Sequence, residues 1–199
     1  MGRPDTKTEI VTTAISLFNE RGSAAVSTNH IADAMGISPG NLYYHFRNKK
    51  EIIKAIFQRM VRDMDSVWGT THDTTPSLKL FFNAMNSIQM LLSNYRFFQR
   101  ELSSLLRNDE ELALAYRKVR QARQIEIEGF FDYLIRTGVM RRPEDPKSLH
   151  RLIQIGWLIA DYWFDYLDIE GEIVNEKNVR TGVNLVIEIL RPYLNEPIR

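Results

Sequence analysis

Two tyrosines and a histidine follow one another in this chain, between a leucine and a phenylalanine. The hydroxyl and ring nitrogen groups of Tyr43, Tyr44 and His45 can hydrogen-bond to phosphates or base edges, and their rings can contact thymine methyls. Leu42 and Phe46 are four residues apart and share the opposite, inward face of a helix. We therefore predict that the three polar rings lie on the outer face, where they can meet a partner. The alternatives are that the tyrosines pack in the core and that His45 is structural.

A first short helix is predicted to begin near Thr28, whose side chain can cap the free N–H groups of a helix start. Ile31, Ala32 and Met35 recur at helical spacing and give this helix one apolar stripe. The helix should end at Gly36, because glycine tolerates the positive φ of a tight helix exit.

A second short helix is predicted from about Pro39 to Phe46. Ser38 and Pro39 are typical of a helix start, as cap and first-turn residue. Two short helices joined by a tight turn, with apolar faces turned towards each other, form a helix-turn-helix. We expect the outer side of the second helix to enter a nucleic-acid groove.

The stretch from Thr28 to Lys49 contains the pattern IA..MGIS.GNLYYHF..K and resembles the DNA-binding domain of the TetR family of transcriptional regulators. The resemblance covers roughly residues 7 to 53, and the rest of the chain is similar only in length and helical character. It implies a helical homodimer that binds double-stranded operator DNA and changes its grip when a small molecule enters the larger domain.

The resemblance also implies which residues contact DNA: Arg3 in a basic N-terminal arm, then Thr28, Ser38, Pro39, Gly40, Asn41, Tyr43, Tyr44, His45, Arg47 and Lys49. Thr28 and Lys49 stand at helix starts, where phosphate contacts are favourable. The arm that carries Arg3 could instead be a disordered tail. No Arg, Lys or Gln occurs from Ser38 to Phe46, so the common bidentate guanine reader is missing. We expect specificity to come largely from methyl contacts and groove shape.

The composition is that of an ordinary folded protein, with 199 residues, 44% hydrophobic and 26% charged. The absence of cysteine excludes disulfides and thiolate metal sites. We expect a cytoplasmic protein with no membrane partner, because the sequence shows neither a membrane span nor a signal-peptide core. The first 62 residues hold nine Lys or Arg against five acidic residues, and the remainder holds 17 against 20. The basic end coincides with the helix-turn-helix, as a phosphate-facing surface requires.

The periodicity predicts an all-α protein of about nine helices. A three-helix DNA-binding domain is expected at residues 1–50, and a larger helical ligand-binding and dimerisation domain at 51–199. The first helix should end at Arg21 and Gly22. The helices after the helix-turn-helix are predicted over 49–68, 77–93, 95–106, 110–137, 147–169 and 175–194.

The C-terminal part offers a set of side chains that could enclose an apolar or aromatic effector: Phe81, Met85, Phe98, Tyr116, Phe130, Trp157, Asp161, Tyr162 and Trp163. Each of the apolar ones could equally be a core or dimer contact. Asp161 shares a helix face with Asp165 and Asp168, which is either a solvated or ion-paired face, or a counter-charge for a cationic ligand. The resemblance further implies that the last two long helices pair with their copies, through Leu158, Tyr166, Val183, Val186, Ile187 and Leu190.

Enzyme and metal functions find no support in the sequence. The four histidines are scattered, and we see no glycine-rich phosphate loop and no nucleophile with a base. We expect no catalytic residues, no metal and no cofactor. The predicted function is that of a sequence-specific transcriptional regulator, a repressor relieved by a small effector. The alternatives are a ligand-independent structural DNA-binding protein and an enzyme on a helical scaffold.

Overall fold

The computed structural model describes residues 5–69, 77–145 and 147–195. Within these ranges the chain forms ten α-helices and one short 3-10 turn, and its only β-type pairing is an isolated bridge between Met140 and Leu194. The all-α prediction is confirmed. The helices are α1 Thr6–Arg21, α2 Thr28–Met35, α3 Pro39–His45, α4 Lys49–Gly69, α5 Leu78–Ser93, α6 Arg96–Arg100, α7 Leu102–Asn108, α8 Glu110–Arg136, α9 Ser148–Ile169 and α10 Glu176–Leu190, followed by the 3-10 turn Arg191–Tyr193.

Two compact units divide the chain. The N-terminal unit consists of Met1–Asp63 together with Asn94–Ala113, and the C-terminal unit consists of Met64–Ser93 together with Leu114–Arg199. The sequence placed a single boundary after residue 50. In the structure, α6 and α7 join the N-terminal unit although they are distant from it in sequence. Phe97 and Phe98 of α6 and Leu105 of α7 are buried there.

Phenylalanines from three helices form the centre of the N-terminal unit. Phe18 of α1 meets Phe97 of α6 edge to face at 5.1 Å, and Phe57 of α4 stacks on Phe98 at 5.7 Å. Aromatic pairs of this geometry contribute about 0.5–1.5 kcal/mol beyond their area burial. Phe98 was predicted to line an effector pocket in the C-terminal domain, and the structure corrects this, because Phe98 is buried in the N-terminal core.

The start of α2 differs from the prediction by one residue. Ser27, not Thr28, is the N-cap: its hydroxyl accepts from the His30 N–H at 3.2 Å, and its own N–H donates to Nδ1 of His30 at 3.3 Å. This reciprocal capping box satisfies two N–H groups that a helix start leaves free. The predicted exit at Gly36 is confirmed, with the left-handed backbone (φ 66°) that glycine tolerates.

The predicted helix over 95–106 is two short helices, which is why the structure has ten helices rather than nine. The break falls at Glu101, whose backbone leaves the helical region and whose carboxylate is bound by the α1–α2 loop. The last helix also ends earlier than predicted, at Leu190. Pro192 enters the 3-10 turn, and proline has no N–H with which to continue an α-helix.

The core of the C-terminal unit is built on α5, α8, α9 and α10. Phe81 of α5 stacks on Phe130 at 4.8 Å and meets Phe131 at 5.5 Å, so two predicted pocket residues are part of an aromatic core. Val183, Val186 and Leu190 are buried in the same core. Their prediction as dimer contacts is corrected, because the heptad-like face of α10 packs against the chain's own helices.

Trp163 of α9 lies flat against the backbone of α10 at Gly182. A Cβ atom added to Gly182 would stand 2.7 Å from two atoms of the indole ring. The indole N–H donates to the Asn178 carbonyl at 2.8 Å, which fixes the ring in this position. Glycine is thus required here for space, and α9 and α10 approach closely at this point.

Candidate nucleic-acid interface

The short helix α3 has a sealed inner face and an exposed outer face. Ser38 caps it, with its hydroxyl accepting from the Asn41 N–H at 3.2 Å, and Pro39 occupies its first turn as predicted. Leu42 and Phe46 are buried beneath it. Pro39, Gly40 and Asn41 are exposed around its first turn, and Gly40 adds no side chain that would hold the helix away from a partner surface.

Both tyrosines lie on the exposed side, as the spacing predicted. Tyr44 is 85% exposed and Tyr43 is 47% exposed. The Tyr43 hydroxyl lies 3.0 Å from the Thr28 hydroxyl, so these two phosphate-binding candidates form one hydrogen-bonded pair between α2 and α3. His45 is half-buried and meets the Tyr44 ring edge to face at 5.1 Å. The outer face therefore combines a pair of hydroxyls with a protruding aromatic ring.

The two basic candidates beyond α3 differ in how they are held. Arg47 is exposed, with its backbone N–H donating to the Glu51 carboxylate at 2.9 Å, so its side chain extends from an anchored backbone. Lys49 is half-buried, and its ammonium donates to the carbonyl oxygens of Ser23 at 2.6 Å and Val26 at 3.0 Å. The Lys49 side chain, which was predicted to contact a phosphate, is thus directed into the protein. Arg3 lies outside the described residues.

Two features of this surface were not predicted from the sequence. The Lys7 ammonium of α1 stands 5.4 Å from the centre of the Phe46 ring, a cation–π arrangement that brings a positive charge to the end of α3. The capping role of His30 was also missed, because Glu or Gln is the usual residue at that position.

Three predicted pocket residues meet around an arginine in the C-terminal unit. Arg120 donates to the Asp161 carboxylate and to the Tyr116 hydroxyl, and its guanidinium lies 4.5 Å from the centre of the Trp157 ring. The ion-pair alternative for Asp161 is therefore confirmed. Tyr162, by contrast, is 68% exposed.

The ionisation of this cluster follows from its burial. Burial raises the pKa of Asp161 above its usual value, although Arg120 lowers it. Burial and the Asp161 charge likewise raise the pKa of the Tyr116 hydroxyl, against the opposing effect of Arg120. Burial lowers the pKa of Arg120, but the hydrogen bond and the charge of Asp161 outweigh it and raise that pKa. The Arg120–Asp161 pair is thus internally neutralised.

A small cavity lies between α5, α9 and α10. Met85, Ile159, Ala160, Trp163, Val179, Gly182, Val183, Val186 and Gln89 line it. Its free volume is about 10 Å³, enough for about one water molecule. Gln89 is only 6% exposed; its amide nitrogen has a long contact of 3.5 Å to the Ala160 carbonyl, and its amide oxygen has no partner.

The outer face of α9 carries an exposed apolar stripe. Leu158 and Tyr166 were predicted dimer contacts and are 63% and 48% exposed. Ile155, Tyr162 and Ile169 continue the stripe at helical spacing and are also exposed, whereas Ile187 of α10 is half-buried. In the part of the chain that the structure describes, no helix is long and apolar enough to cross a membrane.

The two short helices, the sealed inner face of α3 and its exposed polar rings define a helix-turn-helix protein of the DNA-binding class. Family comparisons identify it further. Residues 47–199 match the family described as TetR, bacterial transcriptional repressor, and residues 10–56 match the family of bacterial regulatory proteins, tetR family. The chain belongs to the TetR family and is a DNA-binding transcriptional repressor.

Individual relatives agree with this family. A TetR-family transcriptional regulator from Marinobacter aquaeolei VT8 has a similar structure, with a TM-score of 0.86 and 31% identity over 96% of this chain and 92% of that one. The HTH-type transcriptional repressor KstR2 of Rhodococcus jostii is 25% identical over 82% of this chain and 81% of its own length. The uncharacterized HTH-type transcriptional regulator YdeS of Bacillus subtilis is 28% identical over 90% of this chain and 88% of its own length. These relatives are transcriptional regulators and not enzymes, which is the class that the sequence predicted.

Proposed function

We propose that this repressor binds a specific operator as a homodimer and leaves it when a small effector binds the C-terminal unit. The observation that carries the DNA-binding part is the two-sided α3, with Leu42 and Phe46 sealed inside and Tyr43 and Tyr44 outside. A seven-residue helix with an exposed aromatic face fits the major groove, where base edges differ between the four base pairs. We assign DNA binding to the N-terminal unit and effector binding to the C-terminal unit.

Operator recognition should depend on thymine methyls and groove shape more than on guanine. The exposed face of α3 carries tyrosine, histidine, asparagine and proline, and no arginine or lysine that could hold guanine with two hydrogen bonds. The operator can be selected from random duplexes, and each guanine then replaced by 7-deazaguanine, which lacks the N7 acceptor of the major groove. We expect changes in Kd below about threefold, since shape readout survives this replacement. A loss of tenfold or more at any guanine, the scale of a lost bidentate pair of about 1–3 kcal/mol, would contradict this recognition mode.

A second copy of the chain is the partner that fits the apolar stripe of α9. Leu158, Tyr162 and Tyr166 leave a large apolar surface in water, and soluble monomers rarely expose contiguous patches of this kind. Operator binding by a twofold dimer requires the two copies of α3 to enter successive major grooves, about 34–36 Å apart. Replacing Leu158 and Tyr162 together by glutamate should give a folded monomer in light scattering; an unchanged dimer would show that another surface pairs the chains.

The cavity between α5, α9 and α10 is the proposed effector site. Its walls are apolar apart from the buried amide of Gln89, whose oxygen has no partner. A small, mainly apolar molecule with one hydrogen-bond donor matches these walls. The cavity has to widen for such a molecule, and the flexible thioether of Met85 is the wall residue best able to move.

The proposed release of operator by the effector can be tested through thermodynamic linkage between the two binding equilibria. If effector and operator favour different dimer geometries, each must weaken the binding of the other by the same factor. Compounds that raise the melting temperature of the protein would first be identified, and their affinity then measured with and without operator. Equal affinities would reject the switch.

The alternative function is a DNA-binding protein that responds to no ligand. The small volume of the cavity, about that of one water molecule, favours this alternative. Such a protein would bind with little sequence choice. Similar affinities for the selected operator and for random DNA at one salt concentration would support it.

A further inference from the structure

The loop between α1 and α2 leads directly into the helix-turn-helix. It runs from Gly22 to Val26, and the next residue, Ser27, is the N-cap of α2. The backbone of this loop therefore sets where α2 begins and, through the Thr28–Tyr43 pair, where α3 lies. Whatever holds the loop controls the geometry of the DNA-reading helices.

Glu101 holds the loop from one side. Ser23 is only 5% exposed, its N–H donates to one carboxylate oxygen of Glu101 at 2.7 Å, and its hydroxyl donates to the other. Gly22 has a positive φ of 78°, and a Cβ there would stand 3.3 Å from the same carboxylate. The glycine thus lets the carboxylate approach the loop closely.

Lys49 holds the loop from the other side. Its ammonium donates to the carbonyls of Ser23 and Val26, at 2.6 Å and 3.0 Å, while its backbone forms the start of α4. Ser23 is therefore bound through its N–H and hydroxyl by an anion and through its carbonyl by a cation. Hydrogen bonds to charged groups are the stronger ones in proteins, so this clamp is a specific constraint. All of its members belong to the N-terminal unit.

We propose that Lys49 and Glu101 are positioning residues for operator binding, and that Lys49 acts by holding the α1–α2 loop and not by contacting a phosphate. This inference rests on the proposed operator binding of the N-terminal unit. It departs from the role that the family resemblance implies for Lys49. It also gives a role in DNA recognition to an acidic residue, Glu101, that no phosphate would attract.

Whether Glu101→Gln strengthens or weakens operator binding distinguishes a positioning role of Glu101 from a purely electrostatic one. Glu101→Gln removes a negative charge from the DNA-binding unit, which by charge alone strengthens DNA binding. Positioning requires the opposite, because glutamine presents an NH₂ group to one of the two Ser23 donors. We expect the operator Kd to rise about tenfold, the scale of one charge-assisted hydrogen bond. Ser23→Ala, which keeps the backbone bond, should give a smaller rise of the same sign.

Salt dependence separates the two roles of Lys49. Each lost phosphate contact reduces the slope of log K against log salt by about 0.9 per subunit. Arg47→Met, the matched control with an exposed cation, should reduce the slope in this way. Lys49→Met should weaken operator binding about tenfold with the slope unchanged and with binding to random DNA preserved, since its charge forms no phosphate contact.

The measurements use fluorescence anisotropy with the full-length dimer, at a temperature where circular dichroism shows every variant folded. A variant that only loses stability keeps the operator affinity of the original protein under these conditions. The double variant Lys49→Met with Glu101→Gln should lose less than the two single losses combined, because both residues act on one loop.

Three results would overturn the inference: a reduced salt slope for Lys49→Met, tighter operator binding by Glu101→Gln, or unchanged operator affinity in folded variants at both positions. If Glu101→Gln does not fold, Ser23→Ala tests the same contact. Failure of the proposed operator binding is recognised separately, because the original protein would then bind operator and random DNA equally.

Discussion

Replacing Gly182 by alanine should destabilise the C-terminal unit, although alanine is the better helix former. The added Cβ would stand 2.7–2.8 Å from three atoms of the Trp163 indole ring, a distance at which something must shift. The ring cannot simply withdraw, because its N–H donates to the Asn178 carbonyl at 2.8 Å. The substitution therefore forces apart α9 and α10 or breaks that hydrogen bond.

The opposing contributions can be compared. Overpacking costs about 1–3 kcal/mol, and loss of the indole hydrogen bond costs about 0.5–1.5 kcal/mol. The helix propensity of alanine returns about 1 kcal/mol. The net loss is then about 0.5–3.5 kcal/mol in the free energy of unfolding. For a protein of this size it corresponds to a fall in Tm of about 1–14 °C.

Two other helical glycines provide matched controls. Gly129 of α8 has no atom within 4 Å of an added Cβ, so Gly129→Ala should raise Tm by about 2–4 °C through helix propensity alone. At Gly156 the added Cβ meets Val186 at an ordinary 3.6 Å, so Gly156→Ala should likewise raise Tm by about 2–4 °C. Melting is followed by circular dichroism at equal chain concentration, because the proposed dimer would melt in a concentration-dependent way. A Gly182→Ala variant that melts at or above the original Tm would refute the described packing of Trp163.

Three further substitutions test the interface and the interior. Tyr43→Phe removes the hydroxyl paired with Thr28 and should weaken operator binding about three- to tenfold at unchanged Tm, as measured by anisotropy; full affinity would show that this hydroxyl makes no DNA contact. Ser38→Ala removes the cap of α3 and should lower the free energy of unfolding in urea by about 1 kcal/mol, and no change would mean that the cap is replaced by water. Arg120→Met leaves the Asp161 carboxylate without its cation and should lower stability near neutral pH by about 1–3 kcal/mol, whereas Arg120→Met with Asp161→Leu should restore most of it. Since burial raises the pKa of Asp161 in the folded protein, the deficit of the single variant should be absent at about pH 2, where the carboxyl is protonated in both the folded and the unfolded state. It should grow as the pH rises above about 4; a deficit independent of pH would assign the loss to packing.

The helix-turn-helix was predictable because its signals are local. Ser38, Pro39 and Gly36 determine helix ends through their own backbone and side-chain chemistry, and Leu42 and Phe46 mark the inner face by spacing alone. The exposure of Tyr43 and Tyr44 follows from that spacing. None of these features depends on a residue far away in the sequence.

The predictions from the sequence were wrong where residues far apart in the sequence determine the local structure. Glu101 breaks a periodic helix because its carboxylate binds Ser23, which is 78 residues away. Val183 has the same spacing as an interface residue, and only the packing of α5 and α9 against α10 shows that it is buried within one chain. Sequence periodicity identifies an apolar face but does not show which element covers it.

The contact that the Lys49 ammonium makes also depends on residues far away in the sequence. A lysine at a helix start is equally suited to a phosphate and to nearby backbone carbonyls, and the sequence does not contain the path of the α1–α2 loop that receives the ammonium. Phe98 is a comparable case, because its assignment to the N-terminal core depends on the return of the chain at residue 94.

The composition of the N-terminal unit has a consequence for protein synthesis. Phe97, Phe98 and Glu101 are translated long after Asp63, and the unit is complete only when Ala113 has left the ribosome. At about 5–20 residues per second, the roughly 50 residues between these points take about 3–10 s to translate. During that interval Phe18 and Phe57 lack their aromatic partners, and we expect the nascent helix-turn-helix to expose apolar surface of the kind that chaperones protect. A ribosome-bound chain should therefore become able to bind operator only after α7 has emerged.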